Sequence, residues 1–351
     1  MKPEEIPEYL EPLLKYAKSL VPDEDKKRTP IFLFATAGMR VLEQSAQDEI
    51  IAAVRKTLKK SPFNFTYQED WARVISGREE GVFGWVTTNY LMDNLMDHDA
   101  KSKVVGALDL GGASLQITFL PKEAPVKHEY VLTLPNNDFS LYTYSFLQFG
   151  QDLMTKNLMN LSLHKASVGG DLPTDVSFPC YLSGYNETVE LENNGTKRKH
   201  NMIGAGDYEK CSQYELELMN LTARCEADPC HISGIYQPNV TGDFYAMSGF
   251  YYTAHFYKID NGKNKTSARL FREHAQDFCS RSWANVTKEY DLDKDLLKVY
   301  CLTGSYIYNL LTAGFGFDAE NTNVYFTSEI NGTTLNWALG GLIAEASLLP
   351  K

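Results

Sequence analysis

The 351 residues are 43% apolar and 12% aromatic, enough to bury one large core or two of ordinary size, and two lobes are favoured at this length. A net charge of -11 argues against a nucleic-acid partner, because no basic stripe is present to displace counterions from phosphates. A small polyanion remains compatible if a metal ion and backbone N–H groups supply the positive field.

Helices and strands are predicted to alternate in the first third of the chain. Leucines at helical spacing predict a surface helix over residues 7–21, and a short apolar run predicts a buried strand over 31–35. An amphipathic helix is predicted over 47–58. Residues 104–110 and 114–119 predict two strands joined by a tight glycine turn.

The second half has weaker patterns. Residues 192–202 are polar and charged without periodicity, and they predict an exposed loop or insertion. Helical patterns return at 268–281 and 296–311, and the apolar stretch 335–350, broken by Glu345, predicts a core helix rather than a membrane span. This order of elements predicts the α/β class.

Acceptor sites for N-glycosylation are more frequent than chance allows. Nine Asn-x-Ser/Thr triplets occur where about three are expected, and this excess indicates the secretory pathway. The first residues are acidic and proline-rich and form no signal peptide, which predicts that the printed chain lacks its natural N-terminus. The acceptors are Asn64, Asn160, Asn186, Asn194, Asn220, Asn239, Asn264, Asn285 and Asn331.

All six cysteines lie between Cys180 and Cys301. No C-x-x-C pair is present, so the cysteines favour disulfides in an oxidising compartment over a metal site. Spacing alone does not choose among the connectivities.

One motif, DLGGASLQ, begins at Asp109. Its adjacent glycines, Gly111 and Gly112, allow the backbone to approach an anion, and Asp109 at the end of a strand can hold a hydrated metal ion. The plain alternative is a hairpin turn in which the aspartate bonds its own backbone.

A second motif is the acidic pair Glu79-Glu80 before an apolar helix. A carboxylate here can take a proton from an attacking water, whereas the structural alternative is a helix N-terminus where acids favour the dipole.

Two further stretches are weaker when taken alone. ATAGMR places Thr36 and Arg40 at the junction of a strand and a helix, where N–H groups favour an anion, or where a tight turn suffices. The aromatic cluster at residues 244–252 is suited to stacking on a base, although such clusters more often form core.

Together these stretches resemble the apyrase family, the ecto-nucleoside triphosphate diphosphohydrolases, over nearly the whole chain. ATAGMR is similar to the family's second conserved region, EEGVFGWVTTNYL to the third and ALDLGGASLQITF to the fourth. Residues 242–257 resemble the fifth region and LNWALG the last, all in the family's order.

The resemblance implies two ribonuclease-H-like lobes of the actin, hexokinase and heat-shock-chaperone type, with a nucleotide in the cleft between them. Residues 1–120 would form the remainder of the N-terminal lobe, and residues 121–320 the C-terminal lobe with disulfides and glycosylated insertions. Residues 321–351 would return to the N-terminal lobe.

The resemblance also implies a set of site residues. Glu80 would be the general base, Ser114 and Gln116 would hold the attacking water with Thr36 beside them, and Asp109 would bind Ca²⁺ or Mg²⁺ through water. The remaining nucleotide-binding positions would be Gly111, Gly112 and Ala113 at the phosphates, Arg40 bracing the cleft, Trp337 beside the metal, and Tyr252 and Tyr300 at the base. The implied disulfides are Cys180 with Cys211, Cys225 with Cys230, and Cys279 with Cys301.

The implied reaction is in-line attack of water on the terminal phosphorus of a nucleoside tri- or diphosphate, without a covalent intermediate. The expected location is the extracellular face of the plasma membrane or the secretory-pathway lumen. A membrane would be contacted only through terminal segments outside this sequence.

The sequence departs from the family at its front. Apyrases begin with a first phosphate loop of the form D-x-G-S/T-S/T-x-T, and no such segment occurs here. The sequence therefore predicts an N-terminally truncated member without the first hairpin of its N-terminal lobe. Little turnover is expected from it, because each lost donor costs about 3 kcal/mol of transition-state stabilisation. The alternatives are an inactive fragment or isoform that at most binds nucleotide, and another phosphotransferase of this fold such as a sugar kinase.

Overall fold

The structure, a computed structural model, describes residues 2–95, 99–134, 137–167, 172–193, 196–260 and 265–347. Its helices are α1 (Ile6–Leu20), α2 (Ala37–Arg40), α3 (Gln44–Lys59), α4 (Gly77–Leu91), α5 (Gln151–Ala166), α6 (Tyr208–Met219), α7 (Gly249–Phe256), α8 (Ala268–Cys279), α9 (Trp283–Glu289), α10 (Lys294–Leu297), α11 (Tyr300–Asn309) and α12 (Trp337–Ser347). Its strands are β1 (Leu33–Ala35), β2 (Ala72–Val74), β3 (Gly106–Leu110), β4 (Ser114–Phe119), β5 (Glu129–Leu134), β6 (Asn137–Leu147), β7 (Asp175–Phe178), β8 (Asn186–Asn193), β9 (Thr196–Gly204), β10 (Phe244–Ser248), β11 (Val324–Phe326), β12 (Glu329–Ile330) and β13 (Thr333–Thr334).

A six-stranded mixed sheet in the order β11-β10-β3-β4-β6-β5 organises the molecule. β3 and β4 form its centre and are buried along their whole length, which is why both read as strands in the sequence. β10 runs parallel to β3, whereas β4 is antiparallel to it. The ends of β3 and β10 therefore lie together, beside the turn between β3 and β4.

Apolar layers cover both faces of this sheet. On one face, Val82, Trp85 and Val86 of α4 pack in a cluster with Phe139 and Leu141 of β6. On the other face, side chains of α5, α7, α8 and α11 share one large buried cluster with β3 and β4. The α/β class is confirmed, because the sheet is the middle layer between helices.

Strands from both sides of residue 120 belong to this sheet, since β3 and β4 precede that position and β5, β6, β10 and β11 follow it. A division of the lobes at residue 120 would cut the sheet. The division is better placed before β3, near residue 105, because α4 and the elements before it contribute no strand to this sheet.

The N-terminal part is smaller. β1 and β2 form a parallel two-stranded sheet, and α1 packs on α3 through Ile6, Leu10 and Leu14. Among the described residues, β1 has no strand on its other edge. A second apolar stripe of α1 faces solvent and comprises Tyr9 (58% exposed), Leu13 (58%), Tyr16 (67%) and Leu20 (64%).

The chain returns to this part through α12, which packs on α4. The Gly340 amide donates to Thr87 Oγ1 at 2.7 Å, and Arg73 Nη2 lies 2.7 Å from Glu345 Oε1. A Cβ atom at Gly340 would lie 1.9 Å from the Phe83 carbonyl oxygen, so only glycine allows this approach. The return of residues 321–351 to the N-terminal lobe stays a prediction; within this range, α12 packs on α4 and β11 belongs to the six-stranded sheet.

We expect Gly340→Ala to destabilise the protein by about 2 kcal/mol or more, because α12 must move away from α4. Urea unfolding followed by circular dichroism measures the change. Gly38→Ala is the matched control, since a Cβ atom there meets nothing within 4 Å and alanine favours helix α2. An equal unfolding midpoint for Gly340→Ala and wild type would contradict this packing.

Most predicted elements appear within a few residues of their expected bounds. The prediction of a loop over 192–202 is wrong for the described residues, because 192–193 belong to β8 and 196–202 to the antiparallel strand β9. Glu190 faces Lys199 and Glu192 faces Lys197 across this hairpin, and opposite charges in register stabilise the pair. Residues 196–199 are polar and exposed, so they show no apolar periodicity, which explains the error. Asn194 lies outside the described residues.

Three disulfides connect segments of the second half: Cys180–Cys211, Cys225–Cys230 and Cys279–Cys301, the pairs that the family resemblance implies.

Six of the seven described glycosylation acceptors have exposed side chains, whereas Asn160 is half-buried in α5. Asn264, like Asn194, is outside the described residues. Within the described ranges, every helix is too short or too polar to traverse a bilayer.

Candidate active site

The acidic pair at the start of α4 has divided roles. Glu79 completes a capping box with Ser76, because the Ser76 amide donates to Glu79 Oε2 at 2.8 Å and the Glu79 amide to Ser76 Oγ at 3.1 Å. Glu79 also lies 2.7 Å from Arg73 Nη1. The structural interpretation of the pair therefore applies to Glu79, and Glu80 is left for another role.

Two glycines allow α4 to lie directly on the sheet. A Cβ atom at Gly81 would lie 2.7 Å from Thr118 Oγ1, and one at Gly77 would lie 2.3 Å from Ser145 Oγ. Because neither residue has a side chain, the face of α4 between them approaches β4 and β6 closely. This approach carries the Glu80 carboxylate to polar side chains of the sheet.

Glu80 is buried beside three polar neighbours. Arg40 Nη2 donates to Glu80 Oε2 at 2.7 Å, and Gln116 Nε2 lies 3.2 Å from the same oxygen. The Thr36 hydroxyl is near enough to lower the pKa of Glu80. Burial raises the pKa of Glu80 above its usual value, and the Arg40 guanidinium opposes this rise. A buried carboxylate with a raised pKa is suited to act as a proton acceptor.

Ser114 and Gln116 complete the polar cluster beside Glu80. Gln116 Nε2 lies 2.6 Å from Ser114 Oγ and 3.0 Å from Ser145 Oγ. Arg40 Nη2 is 3.3 Å from Ser114 Oγ. Thr36, Arg40, Glu80, Ser114 and Gln116 are thus brought together from β4 and from the two helix starts that follow β1 and β2.

Asp109 lies at the same site, near the end of β3. It is buried, and its Oδ1 atom has no hydrogen-bond partner among the described residues. Burial raises the pKa of Asp109, and the Ser248 hydroxyl within bonding reach opposes this. Asp109 faces Gln116, which bonds Glu80, across the β3–β4 ladder, and the negative charge of Asp109 also raises the pKa of Glu80.

A buried carboxylate oxygen without a donor is costly unless a cation or a bound water meets it. The orphaned Asp109 Oδ1 therefore fits a hydrated divalent cation, which prefers carboxylate oxygen and retains part of its water shell. Asp109 is the residue of this site best placed to hold such an ion through water.

The turn between β3 and β4 presents backbone donors. Within the described chain, the Gly112 and Ala113 N–H groups donate to no protein acceptor, whereas the Gly111 amide donates to the Ser114 carbonyl at 3.0 Å. The start of α5 supports the turn, since the Asp152 amide donates to the Gly112 carbonyl at 2.9 Å. Two free donors on a fixed turn can bind phosphate oxygens.

The aromatic residues expected at the base are not brought into contact with each other. Tyr252 on α7 is 62% exposed, and Tyr300 at the start of α11 stacks on Phe256 with ring centroids 3.6 Å apart. Trp337 begins α12 and is half-buried. Among the described residues, no hydrogen bond joins it to Asp109. The roles of these three residues remain predictions.

Three polar residues of the site are absent from the predicted set. Ser145 faces Gln116 across the β4–β6 ladder, Ser248 ends β10, and Asp152 supports the Gly112 carbonyl. The signal for Ser145 is the strand register, which becomes readable only when β4 and β6 are paired. Ser248 and Asp152 each lie at a helix start. Serine and aspartate are common there for structural reasons, so the sequence does not mark them as site residues.

Replacement of Arg40 by alanine is expected to move the acid limb of the pH–activity profile to higher pH. Without the guanidinium, burial is opposed less and raises the pKa of Glu80 further, so a smaller fraction of its carboxyl groups is ionised at a given pH. Losing one partner of this buried pair also costs about 3–5 kcal/mol of folding stability. Phosphate release measured between pH 5 and pH 9 tests the shift, and the exposed Arg78→Ala on α4 is the control. An unchanged profile would contradict the pairing.

Comparisons with known proteins match nearly the whole chain. The model of the GDA1/CD39 (nucleoside phosphatase) family matches residues 1–350. Ectonucleoside triphosphate diphosphohydrolase 1 of Mus musculus is 35% identical over 99% of this chain and 72% of its own length. Ectonucleoside triphosphate diphosphohydrolase 8 of Gallus gallus is 33% identical over 97% of this chain and 72% of its own length.

A solved structure shares the fold. The nucleoside triphosphate hydrolase from Neospora caninum superposes with a TM-score of 0.64 at 14% identity, covering 95% of this chain and 76% of that one. At this identity the likeness concerns the fold alone. The family model and the curated relatives show more: this chain is a member of the GDA1/CD39 nucleoside phosphatase family.

Proposed function

We propose that the chain hydrolyses the terminal phosphate of nucleoside tri- and diphosphates by direct attack of water, with Glu80 as the general base. The observation that carries the proposal is that Asp109 faces Gln116, which bonds Glu80, beside a turn whose Gly112 and Ala113 N–H groups meet no acceptor among the described residues. The family and the names of the relatives support the substrate class.

Each residue has a role in the proposed reaction that follows from its position in the site. The Glu80 carboxylate takes a proton from the water, which the Ser114 hydroxyl and the Gln116 amide orient. The water oxygen forms a bond to the terminal phosphorus as the bond to the bridging oxygen breaks, and inorganic phosphate leaves with the shortened nucleotide. The Gly112 and Ala113 N–H groups stabilise charge on the phosphoryl oxygens.

Asp109 is proposed to hold Ca²⁺ or Mg²⁺ through water. When bound, such an ion neutralises phosphate charge and orients the terminal phosphoryl group. The orphaned Asp109 oxygen supports this assignment. The donor set gives no preference between the two ions, because both take carboxylate and water oxygens.

The free edge of β1 and the exposed stripe of α1 support a further element in the active form. An apolar stripe and an unpaired strand edge are both costly in water. In the six-stranded sheet, β10 pairs with β11 on one side and with β3 on the other, and β3 pairs in turn with the antiparallel strand β4. Among the described residues, β1 pairs only with β2. We propose that an added hairpin on β1 completes the phosphate site, and that the 351 residues alone turn over slowly.

The test is phosphate release from ATP, ADP, UDP and GDP with Ca²⁺ or Mg²⁺, using the printed chain and a version extended upstream. We expect metal-dependent release from the extended chain and at most weak release from the printed one. Binding of nucleotide without release by either chain would favour the inactive alternative. Release that EDTA leaves unchanged would contradict the metal.

An extracellular or luminal location is also proposed. The three disulfides need an oxidising compartment, and six described glycosylation acceptors are exposed. Expression of the upstream-extended chain in animal cells, followed by enzymatic deglycosylation, should lower the apparent mass. A mass that does not change would contradict this location.

A further inference from the structure

Ser248 has a backbone conformation that serine rarely adopts. It ends β10 and precedes α7 with φ 57° and ψ -125°, a region that glycine tolerates and other residues occupy under strain. The neighbouring Gly249 has no positive φ, so the strain is concentrated on the one residue of the turn that carries a hydroxyl. A strained residue retained beside a functional group suggests that its side chain is needed there.

Ser248 lies next to Asp109 at the end of the sheet. β10 and β3 are parallel in a register that sets Met247 beside Asp109 and Ser248 beside Leu110, so the two strand ends are adjacent. The Ser248 hydroxyl is near enough to lower the pKa of the Asp109 carboxyl group. Among the described residues, Asp109 Oδ1 has no hydrogen-bond partner.

The same arrangement occurs once more in the chain. β1 leads through Thr36 into α2, just as β10 leads through Ser248 into α7. Each of these strands pairs in parallel with the next one, β2 or β11. The Thr36 hydroxyl is near enough to Glu80 to lower the pKa of its carboxyl group, and the Ser248 hydroxyl does the same to Asp109. Each half of the molecule thus places one hydroxyl, at the end of a parallel strand, beside one carboxyl group of the site.

We propose that Ser248 is a positioning residue, whose hydroxyl fixes the Asp109 carboxylate so that Oδ1 faces the cation. This inference rests on the proposed function, because it assumes that Asp109 holds the metal. Residues that orient metal-binding groups usually change metal affinity by about 10-fold or more when they are replaced.

Two substitutions separate the hydroxyl from the backbone strain. Ser248→Ala removes the hydroxyl and keeps the strain, whereas Ser248→Gly removes both. Affinity is measured by titrating Ca²⁺ into the full chain with a non-hydrolysable ATP analogue, using calorimetry. Both variants should bind Ca²⁺ about 10-fold more weakly. Ser248→Gly should also melt at least about 2 °C above Ser248→Ala, because glycine relieves the strain.

Ser233→Gly is the matched control, since Ser233 also has a positive φ of 54° and its hydroxyl bonds the Met219 carbonyl, outside the site. It should leave Ca²⁺ affinity unchanged. Equal affinity of wild type and both Ser248 variants would overturn the inference and leave the proposed function standing. Failure of wild type to bind Ca²⁺ with the analogue would overturn both. The melting comparison needs no metal, and a Ser248→Gly variant no more stable than Ser248→Ala would overturn the strain argument.

Discussion

Glu80→Gln is expected to lower kcat of the extended chain by about 10²–10⁴-fold, while nucleotide binding and folding persist. Glutamine keeps the shape and the hydrogen bonds but cannot take the proton from water. Arg40 retains its bonds to the Ile75 carbonyl and to Ser114, so the helix start should stay in place. Single-turnover phosphate release and fluorescence titration with a non-hydrolysable nucleotide measure the two effects separately.

The sign of the stability change adds a second test of Glu80. Its pKa is raised in the folded state, so its contribution to stability is full below the unfolded pKa and is lost as the pH rises through the folded pKa. The stability of Glu80→Gln relative to wild type should therefore increase as the pH is raised from 4 to 8, although the loss of the Arg40 partner lowers it at every pH.

Glu79→Gln is the matched control for this prediction. It weakens the capping box and the pair with Arg73, and should cost about 0.5–2 kcal/mol of stability with kcat little changed. A Glu80→Gln enzyme that retains wild-type kcat, or a Glu79→Gln enzyme that loses it, would contradict the division of roles.

Asp109→Asn is expected to abolish the stimulation of phosphate release by Ca²⁺ or Mg²⁺, with a loss of about 10²-fold or more at saturating metal. The amide is close in size to the carboxylate but carries no charge, so a cation loses its attachment. The pKa of Asp109 is raised by burial, so removal of its charge should preserve or improve folding stability at pH 8.

Metal titrations of phosphate release and urea unfolding measure these two effects. The exposed Asp175→Asn, on β7, serves as the control. Unchanged metal dependence of Asp109→Asn would place the ion elsewhere. A large loss of stability would show instead that Asp109 serves the fold.

The site residues were predictable where a motif ties chemistry to a local element. Asp109 and Glu80 each belong to a continuous stretch, so strand, turn and helix start are visible in the sequence. Ser145 was not predictable, because its contact with Gln116 depends on the pairing of β4 with β6. Strand β5 lies between these two strands in the sequence, so no local pattern shows that they are neighbours. Ser248 was missed because its importance depends on a backbone torsion that the residue type does not indicate.

The fold shows the same distinction. β3 and β4 read as strands because they are buried throughout, whereas residues 196–199 of β9 are polar and exposed and gave no apolar pattern. A division of the lobes at residue 120, implied by the family resemblance, would separate β3 and β4 from the other strands of their sheet. Their pairing with β10 and β6 is a long-range contact that no local pattern encodes.

Glu80 and Asp109 are proposed to share one cleft that holds a cation and a terminal phosphate. Crystals of the Glu80→Gln protein grown with Mn²⁺ and a non-hydrolysable ATP analogue test this arrangement through anomalous scattering. We expect a manganese peak roughly 4–5 Å from the Asp109 carboxylate, bridged by water, with the terminal phosphate between the ion and the glutamine substituted at position 80. A peak remote from Asp109, or a phosphate that does not reach position 80, would contradict the shared cleft.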